Sequence, residues 1–203
     1  AFYQKESPQE IAQRLLATGL NVNATYQQGR TPLHLAMEII KKDCLTPPYK
    51  AKGYEGMTIS VWGQPCVYTT DLAKFLIENG ADVNAKDSNG QTPLFYTARQ
   101  IYNTQAAGLL IQSGAEVNAR DNRGNTPLIW STNRSERKRL LQIPRDAVDP
   151  DTTFFRLLLD NGADVNAENN ERSTALQAAE SLDQERYGDL KRLLQRYGAK
   201  GAD

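Results

Sequence analysis

Histidine is nearly absent: His34 stands alone in a chain of 203 residues. A Ser-His-Asp or Cys-His mechanism would have to run through that one side chain, which leaves almost no room for nucleophilic catalysis of those kinds. Cysteine, methionine and tryptophan are equally sparse, at two each. The 21 residues between Cys44 and Cys66 fit no compact zinc spacing. A glycine-rich phosphate loop is missing, and no apolar run nears the roughly 20 residues of a membrane-spanning helix. Excess charge is missing too. Lys+Arg and Asp+Glu balance at 24 each, so the molecule as a whole has no electrostatic case for nucleic acid or membrane. The first residues, AFYQKES, include neither methionine nor a hydrophobic leader, which fits a chain matured by signal cleavage and a trimmed chain alike.

What is present is repetition. NVNATYQQGRTPLHLA (21–36), DVNAKDSNGQTPLFYT (82–97), EVNARDNRGNTPLIWS (116–131) and DVNAENNERSTALQAA (164–179) are versions of one unit. A leucine-rich stretch ending in glycine precedes each: IAQRLLATG, LAKFLIENG, AAGLLIQSG and FFRLLLDNG, with LKRLLQRYG closing the chain. Thr31-Pro32, Thr92-Pro93 and Thr126-Pro127 place a capping hydroxyl before a proline at the first helical position. Glycines 19, 80, 114, 162 and 198 sit where a helix must end in the left-handed conformation. Asp87 to Gly90 and Asp121 to Gly124 read as tight turns. Each unit is then turn, short helix, second helix, turn, and it buries its apolar face only by stacking on its neighbours.

The pattern resembles the ankyrin repeat over nearly the whole chain. The resemblance implies an all-α solenoid of four to five helix-turn-helix units with two inserted loops, in a single domain spanning 1–203. The units fall at about 7–28 (a partial N-terminal cap, its helix at Pro8 to Ala17), 29–89, 90–123, 124–171 and 172–203 (the C-terminal cap). Successive repeat threonines are 61, 34 and 48 residues apart. Against a unit of about 33, the first and third carry surpluses of about 28 and about 15 residues. These are insertions at 41–69 and 135–150. The expected core is a set of leucine rows: Leu15/Leu16, Leu76/Ile77, Leu109/Leu110, Leu157/Leu158 and Leu193/Leu194.

Several small patterns have bland readings. His34 matches the structural histidine of ankyrin-type TPLH turns, and the other units place Phe95, Ile129 and Gln177 there. Ser135 to Lys138 fits Ser-x-x-Lys without its companion motifs. The sequon at Asn23 belongs to the recurring VNA turn, and a second lies at Asn133. The reading therefore contains no catalytic residue, cofactor or metal site.

The resemblance implies a non-enzymatic protein-binding module using turn tips and first helices. Aligned to the pattern, the exposed variable positions are Tyr26, Gln27, Gln28 and Arg30, then Lys86, Ser88, Asn89, Gln91, Arg99 and Gln100, then Arg120, Asn122, Arg123, Asn125, Asn133 and Arg134. Residues 86–145 hold nine basic and four acidic side chains, and residues 146–203 seven and twelve. Arg99, Arg120, Arg123 and Arg134 thus form a basic stripe suited to an acidic partner protein, with a solvated surface as the plain alternative. The first insertion carries no repeat pattern. A Cys44–Cys66 disulfide is expected to staple it into a protruding loop. That loop presents Tyr49, Tyr54, Trp62 and Tyr68, or packs them on itself. A persistent disulfide implies a periplasmic or secreted protein. The sharpest version is an exported bacterial inhibitor, such as an immunity protein plugging a toxin cleft. The alternative is a cytoplasmic ankyrin adaptor. The free protein is expected to be monomeric, with neither nucleic acid nor membrane insertion.

Overall fold

The computed structural model describes Gly19 and residues 21–38, 65–99, 104–132, 152–180 and 184–201, with residues 38, 65–69, 99 and 184–187 as backbone. Helices run in the order α1 (Pro32–Glu38), α2 (Pro65–Glu78), α3 (Pro93–Arg99), α4 (Thr104–Gln112), α5 (Pro127–Thr132), α6 (Thr153–Asp160), α7 (Ala175–Glu180) and α8 (Gln184–Arg196). A 3-10 turn, Gln27–Gly29, precedes them. Among the described residues extended pairing is limited to an isolated antiparallel bridge between Tyr26 and Arg30. The short helices α1, α3, α5 and α7 pack in one row, and α2, α4 and α6 in a second row against it. This is the all-helical solenoid that the repeat implied.

The helix boundaries follow from the residues at them. Pro32, Pro93 and Pro127 each open a helix, where a missing N–H costs nothing. At the other end Gly114 takes φ +92. Its N–H donates to Ile111 C=O at 3.0 Å, and the Ala115 N–H donates back to Leu110 C=O at 2.9 Å. This is the paired closure that satisfies the last carbonyls of a helix. The same two bonds close α2 at Gly80, α6 at Gly162 and α8 at Gly198.

The capping threonines behave less uniformly than their sequence suggests. Thr126 Oγ1 accepts from the Ile129 N–H and Thr174 Oγ1 from the Gln177 N–H, both at 3.3 Å. Thr174 N–H in turn donates to Gln177 Oε1 at 2.9 Å, which completes a reciprocal capping box. Thr31 pairs instead with His34. In the unit where phenylalanine holds the histidine position, Thr92 Oγ1 is buried with no partner.

Leu110, Leu158 and Leu194 are fully buried, as are Leu94, Phe95, Leu128, Phe154, Phe155 and Leu176 from the adjoining faces. Each such side chain contributes about 1.5–3 kcal/mol relative to exposure. Of the expected leucine rows, Leu76 and Leu193 are also buried, while Ile77, Leu109 and Leu157 are partly so and flank the core. Leu15 and Leu16 lie outside the described residues, as does the expected N-terminal helix.

One boundary differs from expectation. The repeat spacing puts the first insertion at 41–69, but α2 already begins at Pro65. Cys66 and Tyr68 therefore sit on the backbone of a helix and not in a loop. The physical reason is Pro65 itself, a first-turn residue that opens α2 as the Thr-Pro prolines open the short helices. The second insertion, 135–150, falls outside the described residues.

Candidate functional site

The turns that join the units are held by three sets of hydrogen bonds. The first lies within each turn. Asp87 Oδ1 accepts from the N–H groups of Asn89 and Gln91, at 2.8 and 2.9 Å. Asp121 Oδ1 accepts from those of Arg123 and Asn125, both at 2.9 Å. Asn169 Oδ1 accepts from those of Glu171 and Ser173, again at 2.9 Å. An Asp or Asn in this place folds the chain back on its own side-chain oxygen. Of the remaining side-chain atoms, Asp87 Oδ2 accepts from the Tyr96 hydroxyl at 2.8 Å, and others reinforce a turn or link it to the next. Asp121 Oδ2 accepts from Gln91 Nε2 at 3.4 Å and Asn125 Nδ2 at 3.2 Å, and Asn169 Nδ2 donates to Asn125 Oδ1 at 2.9 Å.

The second set joins backbones. The N–H groups of Ser88, Asn122 and Asn170 donate to the carbonyls of Gln28, Asn89 and Arg123 at 2.8, 2.9 and 3.0 Å. Turns packed this closely leave no space for a side chain at the fourth position. A Cβ on Gly90 would lie 2.5 Å from Asn122 Oδ1, and one on Gly124 only 2.4 Å from Asn170 Oδ1 and 2.9 Å from its backbone nitrogen. In the last turn Arg172 occupies that position, with φ +59.

The third set uses the asparagine of each VNA motif as a two-pronged rung. Asn84 Nδ2 donates to Gly114 C=O at 3.0 Å, and the Glu116 N–H donates to Asn84 Oδ1 at 2.8 Å. Asn118 does the same with Gly162 and Asp164, Asn23 with Gly80 and Asp82, and Asn166 with Gly198 and Lys200. Both ends of the Asn23 amide are thus engaged, which accounts for its sequon structurally.

His34 is fully buried. Its Nδ1 accepts from the Thr31 N–H at 3.1 Å and lies 2.9 Å from Thr31 Oγ1. That assignment puts the proton on Nε2, which donates to Gln91 C=O at 3.0 Å across the unit boundary. The Tyr96 ring packs edge-on against it at 5.2 Å. Burial first of all holds the imidazole pKa below the usual 6.5, more strongly than the Gln91 carbonyl and the Asp87 charge raise it. With both nitrogens occupied, His34 has no lone pair to offer a substrate. The folded-state pKa lies below the unfolded one, so this contribution to stability is complete above about pH 6.5 and declines as pH falls below it. The denaturation midpoint should therefore drop on acidification through that window. Substituting His34→Gln, with the amide that Gln177 uses, should flatten this part of the profile. An unchanged profile in the variant would show that other groups set it.

The structure brings some of the predicted contact residues together and reassigns others. Tyr26 is the most exposed aromatic described, at 51%. It stands where the later turns have Asp or Asn, so this turn lacks a side-chain acceptor, and Gln28 adopts φ +64. The Arg30 guanidinium lies 5.4 Å from the Tyr26 ring centroid, within reach of a cation–π contact, and Nε donates to Gln27 C=O at 3.2 Å. Arg120 is exposed but braced: Nη1 donates to Gly124 C=O at 3.2 Å and Glu168 C=O at 2.7 Å. It clamps two turns together as well as carrying charge. Arg123 is exposed at a turn tip.

Gln91 and Asn125 were expected at the surface and are instead buried, at 6% and 7%, because Asp121 draws both amides inward. Asp87 and Asp121, which organise the turns, are marked by the sequence only as turn formers. The signal for them was present as the recurrence of Asp five residues before Thr-Pro. Arg99 ends α3 and Tyr68 lies in α2, both as backbone. Tyr49, Tyr54, Trp62, Arg134 and Cys44 lie outside the described residues. So does the side chain of Cys66.

A family model described as ankyrin repeats (3 copies) matches residues 66–153. A fowlpox virus (strain NVSL) protein named as an ankyrin repeat protein is 33% identical over 87 residues, which is 43% of this chain and 31% of the viral protein. The chain therefore aligns with under a third of that relative's length. The asparagine rungs at Asn23 and Asn166 extend the same geometry to either side of the matched segment.

Proposed function

Because this chain is an array of ankyrin repeats, we propose that it is a protein-binding module without chemistry of its own. Ankyrin repeats generally mediate protein–protein interaction. One observation carries the reading here. The turn backbones are tied to one another, while polar side chains stand exposed at matching positions of three successive turns: Lys86 and Asn89, Arg120 and Arg123, Glu168 and Glu171. Groups held in place before binding lose little entropy on contact. Tyr26 adds an aromatic anchor at the first turn.

Capture of the partner from the native source, followed by titration, tests the reading. Reversing Arg120 and Arg123 to glutamate should weaken that complex roughly tenfold or more and flatten its salt dependence. Equal affinity for both proteins at low and high salt would return these arginines to the solvated surface.

The finer proposal is an exported inhibitor or immunity protein that uses the 41–64 segment with the turns, in preference to a cytosolic adaptor. The two cysteines support it, because a Cys44–Cys66 bond would close a loop of about 22 residues and contribute roughly 3 kcal/mol by restricting the unfolded chain. Intact-mass measurement with and without reductant should reveal one disulfide in natively produced protein. Two free thiols would remove both the staple and the oxidising compartment. Deleting residues 48–62 should leave the solenoid folded and sharply weaken binding.

A further inference from the structure

The four turns present equivalent positions, and the charges at those positions change sign along the row. The residue just before each turn's Asp or Asn is Lys86, Arg120 and then Glu168; the equivalent of the first turn is Thr25. Two residues after it stand Asn89, Arg123 and then Glu171, with Gln28 in the first turn. All of these side chains are exposed. Both registers therefore run neutral, then basic, then acidic, and both invert between the third and fourth turns. Arg172 adds one positive charge at the far edge of the fourth turn, at the position where glycines 90 and 124 face the following turn. The turns are not free to rearrange, since backbone hydrogen bonds fix each to the next. A charge step on such a frame persists in solution.

We propose that this row selects a partner segment of mixed charge in block order. Partner carboxylates face Lys86, Arg120 and Arg123, and a partner lysine or arginine faces Glu168 and Glu171. This rests on the protein-binding reading and sharpens it, because an acidic partner alone would be repelled by the fourth turn. The step also fixes direction. A block-charged segment can lie along the row one way only, since the reversed orientation places like charges together.

Selection from a displayed library of random peptides, with the whole chain as bait, tests this. Wild-type bait should enrich peptides that carry an acidic run and a separate basic residue. A Glu168→Lys/Glu171→Lys bait should instead enrich wholly acidic peptides. A selected block peptide should bind the wild-type chain roughly tenfold more tightly than an alternating-charge peptide of the same composition. Circular dichroism should show both baits equally folded. Enrichment of the same peptides by both baits, or of none, overturns the charge-order proposal. Retention of every selected peptide by a Lys86→Ala/Arg123→Ala bait would likewise overturn it, by placing the peptide off the row, whereas enrichment of none by either bait is the outcome that removes the binding reading as well. A self-associating bait, detected by sedimentation, would place a second copy on the row and also overturn the proposal.

Discussion

Replacing Asp121 by alanine is expected to cost about 3 kcal/mol or more. Its carboxylate accepts from the backbone N–H groups of Arg123 and Asn125 and from the side-chain amides of Asn125 and Gln91. Asp121 is 9% exposed, and Gln91 and Asn125 are as well buried. Alanine would take that acceptor away from buried and part-buried donors, and the lost pairing is not made up by water there. Asp121→Asn should be much milder. It keeps an Oδ1 acceptor, and Asn169 folds the next turn with that same atom. Chemical denaturation of the two variants checks the order. A smaller loss for alanine than for asparagine would mean that the turn is held by its backbone alone.

Leu110→Ala should cost roughly 2–5 kcal/mol. Leu110 lies in α4, which packs against α3 and against the neighbouring second helices α2 and α6, and its side chain is fully buried. Its carbonyl also accepts from the Ala115 N–H in the closure at Gly114, so the side chain stands where the helix end is already fixed and the cavity has little room to collapse. Leu109, one residue earlier and only partly buried, should lose less on the same substitution. A change under about half a kcal/mol at Leu110 would assign it to the surface.

Much of the frame was legible because its chemistry is local. A proline opens a helix and a glycine closes one wherever they stand, and the periodic recurrence of both marked the units without reference to neighbours. Pro65 obeys the same rule. It lies in a segment without the repeat period, so no counterpart at its spacing in the other units marks it as a helix start. The candidate surface was legible only in part. Tyr26, Arg120 and Arg123 are exposed as aligned. Gln91 and Asn125 are not, because their burial depends on Asp121, an acceptor supplied from the adjoining turn in one case and from four residues earlier in the other. The same limit hid the bracing role of Arg120, whose second acceptor, the Glu168 carbonyl, comes from the following unit.

The fourth turn position has a consequence for how such a chain can lengthen. Gly90 and Gly124 leave bare backbone for the next turn to rest on, and Asn122 and Asn170 fill that space. A duplicated copy of an internal unit would bring one face of each kind and could be spliced between its parents without redesign. A copy appended after the last turn would meet the Cβ of Arg172 instead, at a φ of +59 that already mimics glycine. A repeat of the same kind is thus seated more readily between the middle turns than against Arg172.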